Sequence, residues 1–277
     1  NVGIGHRALC NTTTGASNIA IGTCSMRLNT EGDNNTAVGD KALCANTTGV
    51  NNVAVGCGAL VANTTGNNNT ALGFESLIAN TTGESNVALG RTTLFSNTTG
   101  CNNVAIGLSA LRCNTTADNN TAIGFCSLCS NTTGTNNTAV GFSALISNTT
   151  ANDNVAVGRC SLKTNTTGAS NTAVGQNSLF NNTTAADNTA IGHQTLFTNA
   201  TGANNTAVGK NALYYNTASS NTAVGNLAMT NNTTGANNTA VGQNALTANT
   251  SGTENVAVGQ NALDSNTTAG CNTSIGH

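Results

Sequence analysis

A glycine returns every 17 residues along this chain, from Gly5, Gly22 and Gly39 to Gly209; after one 16-residue step to Gly225 the spacing of 17 resumes through Gly276. A fixed short period is the signature of stacked repeats, in which no unit can bury its own apolar face and neighbouring units complete the core. All 277 residues fit the register. The sequence therefore predicts a single continuous array over residues 1–277, about 16 coils, and the absence of atypical end units predicts a segment of a longer fibre protein. The missing residue falls within Asn216-Thr217-Ala218-Ser219-Ser220. That places the stretch in a loop, where length changes are tolerated.

Because the chain repeats, its units can be compared with one another. Each reads Asn-Thr/Val-Ala-Val/Ile-Gly, two variable residues, Ala/Ser-Leu, two more variable residues, then Asn-Thr-Thr-Gly and two polar residues. The Asn four before the glycine is present in all seventeen units, and the residue just before the glycine is always Val, Ile or Leu. The fourth residue after the glycine is Leu in fourteen units and Met, as Met26 and Met229, in two. Such restriction marks a core position. The middle residue of Thr/Val-Ala-Val/Ile is Ala in fifteen units, Gly3 and Ser274 being the exceptions.

The unit is too short for a helical hairpin and its apolar spacing is not helical. Asn-Thr-Ala-Val-Gly is rich in β-formers and ends on a residue that permits a sharp bend. Ala-Leu and its two followers read as a second short strand, and Asn-Thr-Thr-Gly is turn chemistry. The fold class expected is thus all-β, a parallel β-solenoid (β-roll) of 17-residue coils. At about 4.8 Å per coil, sixteen coils would stack to roughly 75–80 Å. The Val/Ile before each glycine and the Leu are expected to point inward as an apolar column. The alanine is then expected to point outward, where its small size suggests close packing by another chain, most simply in a trimer.

In a parallel stack, like side chains lie above one another, so the invariant asparagines are expected to form an amide ladder. Its members are Asn35, Asn52, Asn69, Asn86, Asn103, Asn120, Asn137, Asn154, Asn171, Asn188, Asn205, Asn221, Asn238 and Asn255. A second rank lies in Asn-x-Ser/Thr acceptor sequences at one phase of the repeat: Asn46, Asn63, Asn80, Asn97, Asn114, Asn131, Asn148, Asn165, Asn182, Asn199, Asn232, Asn249 and Asn266. In an exposed turn of an extracellular fibre these are candidate glycosylation sites. Asn34, Asn68, Asn119, Asn136, Asn204 and Asn237 add further acceptor sequences.

Charged residues make up only 6% of the chain and the net charge is −2, so no basic field exists to hold nucleic acid or anionic lipid. No apolar run approaches the ~18 residues of a membrane span. His6, His193 and His277 fall in separate coils, and the acidic residues are scattered. No catalytic, cofactor-binding or metal site is expected, and the chain is read as a non-enzyme. Of the ten cysteines, only Cys113 and Cys129 lie nearly in register on adjacent coils, as a disulfide would need. Phe74, Leu108, Phe125 and Phe142 share one phase, and Phe95, Phe180, Phe197 and Tyr214 another. They read equally as scattered surface apolars or as a strip receiving a neighbouring chain.

Segments such as Asn103-Val104-Ala105-Ile106-Gly107 and Asn52-Val53-Ala54-Val55-Gly56 resemble the head repeats of trimeric autotransporter adhesins. They are also similar to the Asn-Thr-Ala-Val-Gly…Ala-Leu…Asn-Thr-Thr-Gly arrays of phage tail-fibre-like proteins. The unit here is longer than the adhesin head repeat by the Asn-Thr-Thr-Gly turn. The resemblance implies a left-handed parallel β-roll, three chains about one axis, and display outside the cell. The function expected is a structural fibre shaft, extracellular, on a cell surface or on a virion surface, with adhesion to a cell-surface or carbohydrate ligand as an added use. The alternative is an ice- or carbohydrate-binding solenoid using stacked Thr/Asn ranks, which the placement of Thr-Thr in a turn disfavours.

Overall fold

The structure, a computed structural model, describes residues 1–277. It consists of two compact units, Asn1–Asn137 and Thr138–His277. Each is a parallel β-solenoid with one three-residue strand per coil and no helix. The first unit carries β1 (Val2–Ile4), β2 (Ile19–Ile21), β3 (Thr36–Val38), β4 (Val53–Val55), β5 (Thr70–Leu72), β6 (Val87–Leu89), β7 (Val104–Ile106) and β8 (Thr121–Ile123). The second carries β9 (Thr138–Val140), β10 (Val155–Val157), β11 (Thr172–Val174), β12 (Thr189–Ile191) and β13 (Thr206–Val208). It continues with β14 (Thr222–Val224), β15 (Thr239–Val241), β16 (Val256–Val258) and β17 (Thr273–Ile275). Within each unit successive strands pair in parallel with like residue on like residue, as in Val104↔Thr121 and Ala173↔Ala190. The short coil keeps this register, with Thr206 opposite Thr222. Strand spacing is therefore the pitch of the coil, and the 17-residue period is the sequence image of that pairing.

The rest of the coil is not a second strand. Ala-Leu, the residue before it and its followers form a run of turns, because two of these residues take left-handed backbone: Lys41 (φ 56°) and Leu43 (φ 52°) in one coil, Ser143 and Leu145 (both φ 52°) in another. That conformation costs an L-residue about 1–2 kcal/mol. The hydrogen bonds show what it achieves. The N–H of Lys41 donates back to Thr23 O at 2.9 Å, and that of Leu43 donates forward to Ala59 O at 3.0 Å. Coil-to-coil bonding thus continues around a corner too tight for extended chain. The repeat glycine opens the corner: Gly141 sits at φ 135°, and a Cβ there would lie 2.6 Å from Gly158 O. Neither the backbone angle nor the space admits another residue.

The interior is narrow, and this inverts the expected facing of the strand. Ala139, Ala156 and the other strand alanines are fully buried, as are Leu145 and the repeat leucines from Leu43 to Leu246, while Leu9 and Leu263 in the end coils are half-buried. The Val/Ile/Leu before the glycine points outward and is half-buried to exposed, with Val55 at 36% and Ile191 at 42%. The leucine column is as expected; the expected Val/Ile lining and the outward alanine are corrected. A Cβ at Gly3 would lie 3.6 Å from Leu9 Cδ1 and 3.4 Å from Ala8 O. So the alanine is small because the leucine of its own coil packs against it, not because a second chain does.

Candidate functional site

Both asparagine ranks, the one entering the strand and the one opening the turn (where Thr12 stands in the first coil), lie inside the coil. The coil around Asn52 and Asn63 shows how they are satisfied. Asn52 Nδ2 donates to Asn35 Oδ1 at 3.1 Å and to Gly66 O at 2.9 Å, while its Oδ1 accepts the backbone N–H of Asn69 at 3.0 Å. Asn63 Nδ2 donates to Asn46 Oδ1 at 2.9 Å and to the same Gly66 O at 3.0 Å, and its Oδ1 accepts from Asn80 Nδ2 at 2.9 Å. Two amides from different parts of the coil thus converge on one carbonyl. The first rank pins the start of each strand to the coil before it; the second runs amide to amide. An Asn is required because only a side chain with both donors and an acceptor can serve the coil above and the coil below. Leaving one such partner unmatched in the interior costs about 1–3 kcal/mol.

The expected ladder is present, from Asn35, Asn52, Asn69, Asn86, Asn103 and Asn120 to Asn137 in the first unit. In the second it runs from Asn154 through Asn171, Asn188, Asn205, Asn221 and Asn238 to Asn255. The rank offered as glycan acceptors is a second ladder. Asn46, Asn63, Asn80, Asn97, Asn114, Asn131, Asn148, Asn165, Asn182, Asn199, Asn232 and Asn249 are fully buried, and Asn266 is half-buried. The nitrogen that a sugar would need is already a donor, as in Asn97 Nδ2 to Asn80 Oδ1 at 2.9 Å. The expectation that this turn exposes its asparagine is corrected: the second threonine, such as Thr99, is the exposed residue. The first threonine adds another rank, with Thr47 Oγ1 donating to Thr64 O at 3.0 Å. Three successive N–H groups, of Thr47, Thr48 and Gly49, close on that same carbonyl at 2.9–3.4 Å. Asn68, Asn119, Asn136, Asn204 and Asn237 lie one residue before the strand ladder, in left-handed conformation that asparagine tolerates better than most residues.

The outer strand face is the most uniform surface of each unit. Its two ranks are the first and third strand residues, and in all seventeen strands these are only Thr, Val, Ile or Leu. No charge, amide or glycine interrupts them. Val55, Leu89 and Ile123 in the first unit and Ile191, Val224 and Val241 in the second are 36–42% exposed. By contrast, the residue after the glycine varies among Asp40, Phe74, Arg91, Gln176, His193 and Lys210. The first rank is thus Thr, Val or Ile and the third Val, Ile or Leu at every pitch, beside positions that vary freely.

Around the turn corners the aromatics form local stacks. Phe180 and Phe197 lie 5.2 Å apart between centroids, and Phe197 and Tyr214 lie 5.0 Å apart, with Tyr215 edge-on to Tyr214 at 4.6 Å. Lys163 caps the series over Phe180 at 5.1 Å, and Arg91 and Arg112 sit over Phe74 and Phe95. Ring faces from Phe180 to Tyr214 are thus occupied by one another and by Lys163, leaving edges to solvent. His6, His193 and His277 are exposed, and no helix is long and apolar enough to cross a membrane.

Compared with known proteins, the chain matches no protein-family model and no curated protein.

Proposed function

We propose that this chain is a structural fibre segment that associates with further copies of itself through the outer strand face, a trimer being the simplest closed arrangement. The observation that carries this reading is the pair of uncharged ranks on that face. A second copy presents the same ranks at the same pitch, so side chains can interlock at every coil without any residue adapted to one level alone. Closed symmetry suits such a self-complementary surface, and burying aliphatic side chains contributes about 25 cal/mol per Å². In this reading the chain is not an enzyme and holds no cofactor. Its place is extracellular, on a cell surface or on a virion surface, where a fibre is displayed, and adhesion to a cell-surface or carbohydrate ligand is a further use of the same shaft.

Analytical ultracentrifugation tests it. The chain is expected to sediment as a stable oligomer at micromolar concentration, and Ile191→Lys is expected to dissociate it while leaving the circular dichroism unchanged, because the side chain faces outward. A wild-type monomer would sink the proposal.

One observation favours a second reading, ice binding: the outward ranks place Thr-x-Val on the strand at Thr138–Val140, Thr172–Val174 and Thr239–Val241. A wild-type monomer showing thermal hysteresis would move the assignment there.

A further inference from the structure

The cysteines of the turn corner are not scattered once their neighbours are considered. Two phases of the coil, the second and fifth residues after the glycine, flank the Ala/Ser-Leu pair. At these phases stand Arg7 and Cys10, Cys24 and Arg27, Lys41 and Cys44, and Cys160 and Lys163. In the coil that follows Gly124, both phases are cysteine: Cys126-Ser127-Leu128-Cys129. The two residues are a turn's span apart, since at the same phases Cys44 N–H donates to Lys41 O at 3.2 Å. A turn brings Cα atoms within about 7 Å, the range a disulfide requires. Between them Ser127 and Leu128 are fully buried, so both cysteines project from a fixed base.

A third thiol stands next to this pair. Cys113, in the preceding coil, donates its N–H to Cys129 O at 3.0 Å. All three cysteines are half-buried. Burial, then the Cys126 and Cys113 thiols, push the Cys129 thiol up to about 11, and Cys129 also shares a hydrogen bond with Cys126.

We infer that Cys126 and Cys129 form a dithiol site that a disulfide-class oxidant such as oxidised glutathione closes to an intramolecular disulfide, with Cys113 left as the free third thiol. In the first step the Cys126 thiolate attacks one sulfur of the oxidant. A mixed disulfide forms at Cys126 and one glutathione thiolate leaves. In the second step Cys129 gives its proton to solvent and its thiolate attacks the Cys126 sulfur, releasing the second glutathione. Two thiols and one glutathione disulfide become one protein disulfide and two glutathione thiols. Cys129 is protonated at neutral pH, so the second step is slow there. It accelerates about tenfold per pH unit while the thiolate fraction rises. In an oxidising compartment the site is closed at equilibrium, and the closed form ties the corner of one coil.

Tryptic mapping tests this directly, because cleavage after Arg112 and Arg159 releases one peptide, Cys113–Arg159, that holds these three cysteines and no other. The folded chain is incubated with oxidised glutathione, alkylated with iodoacetamide and digested without reduction. The peptide is expected to lack two hydrogen atoms for a Cys126–Cys129 link seen on fragmentation, and to carry on Cys113 one alkyl group or one glutathione, never a link to another cysteine of the peptide. Closure should be faster at pH 9 than at pH 7. Cys101, alone in the peptide Thr92–Arg112, should stop at the glutathione adduct and serves as the control. Cys129→Ser should leave Cys126 as a persistent glutathione adduct. The inference is overturned by three alkylated thiols, by a wild-type adduct on Cys126 or Cys129 that never resolves, or by a link that runs to Cys113.

Discussion

Two turns of the second unit do the same work with different lengths. The regular turn, Asn232-Thr233-Thr234-Gly235, holds its asparagine to Gly235 O at 2.8 Å, and Asn221 reaches the same carbonyl at 2.9 Å. In the short coil Asn216 reaches Ala218 O at 2.7 Å and Asn205 reaches it at 2.9 Å. Ala218 therefore stands where Gly235 stands, and Thr217 Oγ1 donates to Thr233 O at 2.8 Å as Thr233 Oγ1 does to Thr250 O at 2.9 Å. The residue lost is the equivalent of Thr234. Its side chain is exposed, and its N–H, bonded to Thr250 O at 3.0 Å, is one of a group sharing a single acceptor. The cost appears nearby: the Asn216–Asn199 rung lengthens to 3.5 Å, against 2.8 Å for Asn249–Asn232. Ladders on both sides fix the register, and the exposed turn between them absorbs the change. Length is thus free only where a residue's bonds are redundant.

That comparison can be broken most severely by shortening the coil where nothing is redundant. Deleting Ala156 would bring Val157 into the slot of a fully buried alanine and put the flanking ranks on the wrong faces. The expected outcome is loss of cooperative melting by circular dichroism. A variant that melts as the parent does would mean that the strand, like the turn, is compliant.

A smaller effect is expected from Asn182→Asp, which keeps the shape and removes the donors. Asn182 Nδ2 now bonds Asn165 Oδ1 at 2.8 Å and Ala185 O at 3.0 Å. A carboxylate there would face two acceptors in a fully buried site, so its folded-state pKa would be raised above the unfolded value. The folded variant would then bind the extra proton, and its deficit, about 3 kcal/mol at neutral pH, should shrink as pH falls toward the unfolded carboxyl pKa near ~4. Denaturant titrations at pH 7 and pH 4.5 measure this; a deficit that does not change with pH would show the site to be wet.

The smallest effect is expected from deleting Thr234, which makes the regular turn into the short one. The loss should be about 1 kcal/mol or less, one shared backbone hydrogen bond, read as a shift in melting midpoint with an unchanged spectrum. A loss as large as that of the Ala156 deletion would mean that the turn at Asn216 depends on its own sequence, Ala218-Ser219-Ser220, rather than on redundancy.

The repeat by itself determined the parallel stack, the alignment of like residues, the leucine column, the first asparagine ladder and the loop that holds the 16-residue step. Each of these follows from period alone, because in a stacked coil any residue recurring at 17 must meet its own equivalent. Which face of the strand turns inward was decided only by tertiary structure. Alternation in Thr138-Ala139-Val140 separates Ala from its neighbours but has the same pattern read from either side; the width of the closed coil, already filled by Leu145 and two asparagines, makes the alanine the inner residue. The same closure turned Asn148 and its rank from exposed acceptors into buried rungs, since a turn that looks polar in sequence is drawn inside when its amide is needed by the coil on either side. The left-handed leucines had no sequence signal, because they arise from the corner that 17 residues must turn and not from any preference of leucine. A short period fixes what lies above what, while the volume enclosed by one coil decides what lies inside.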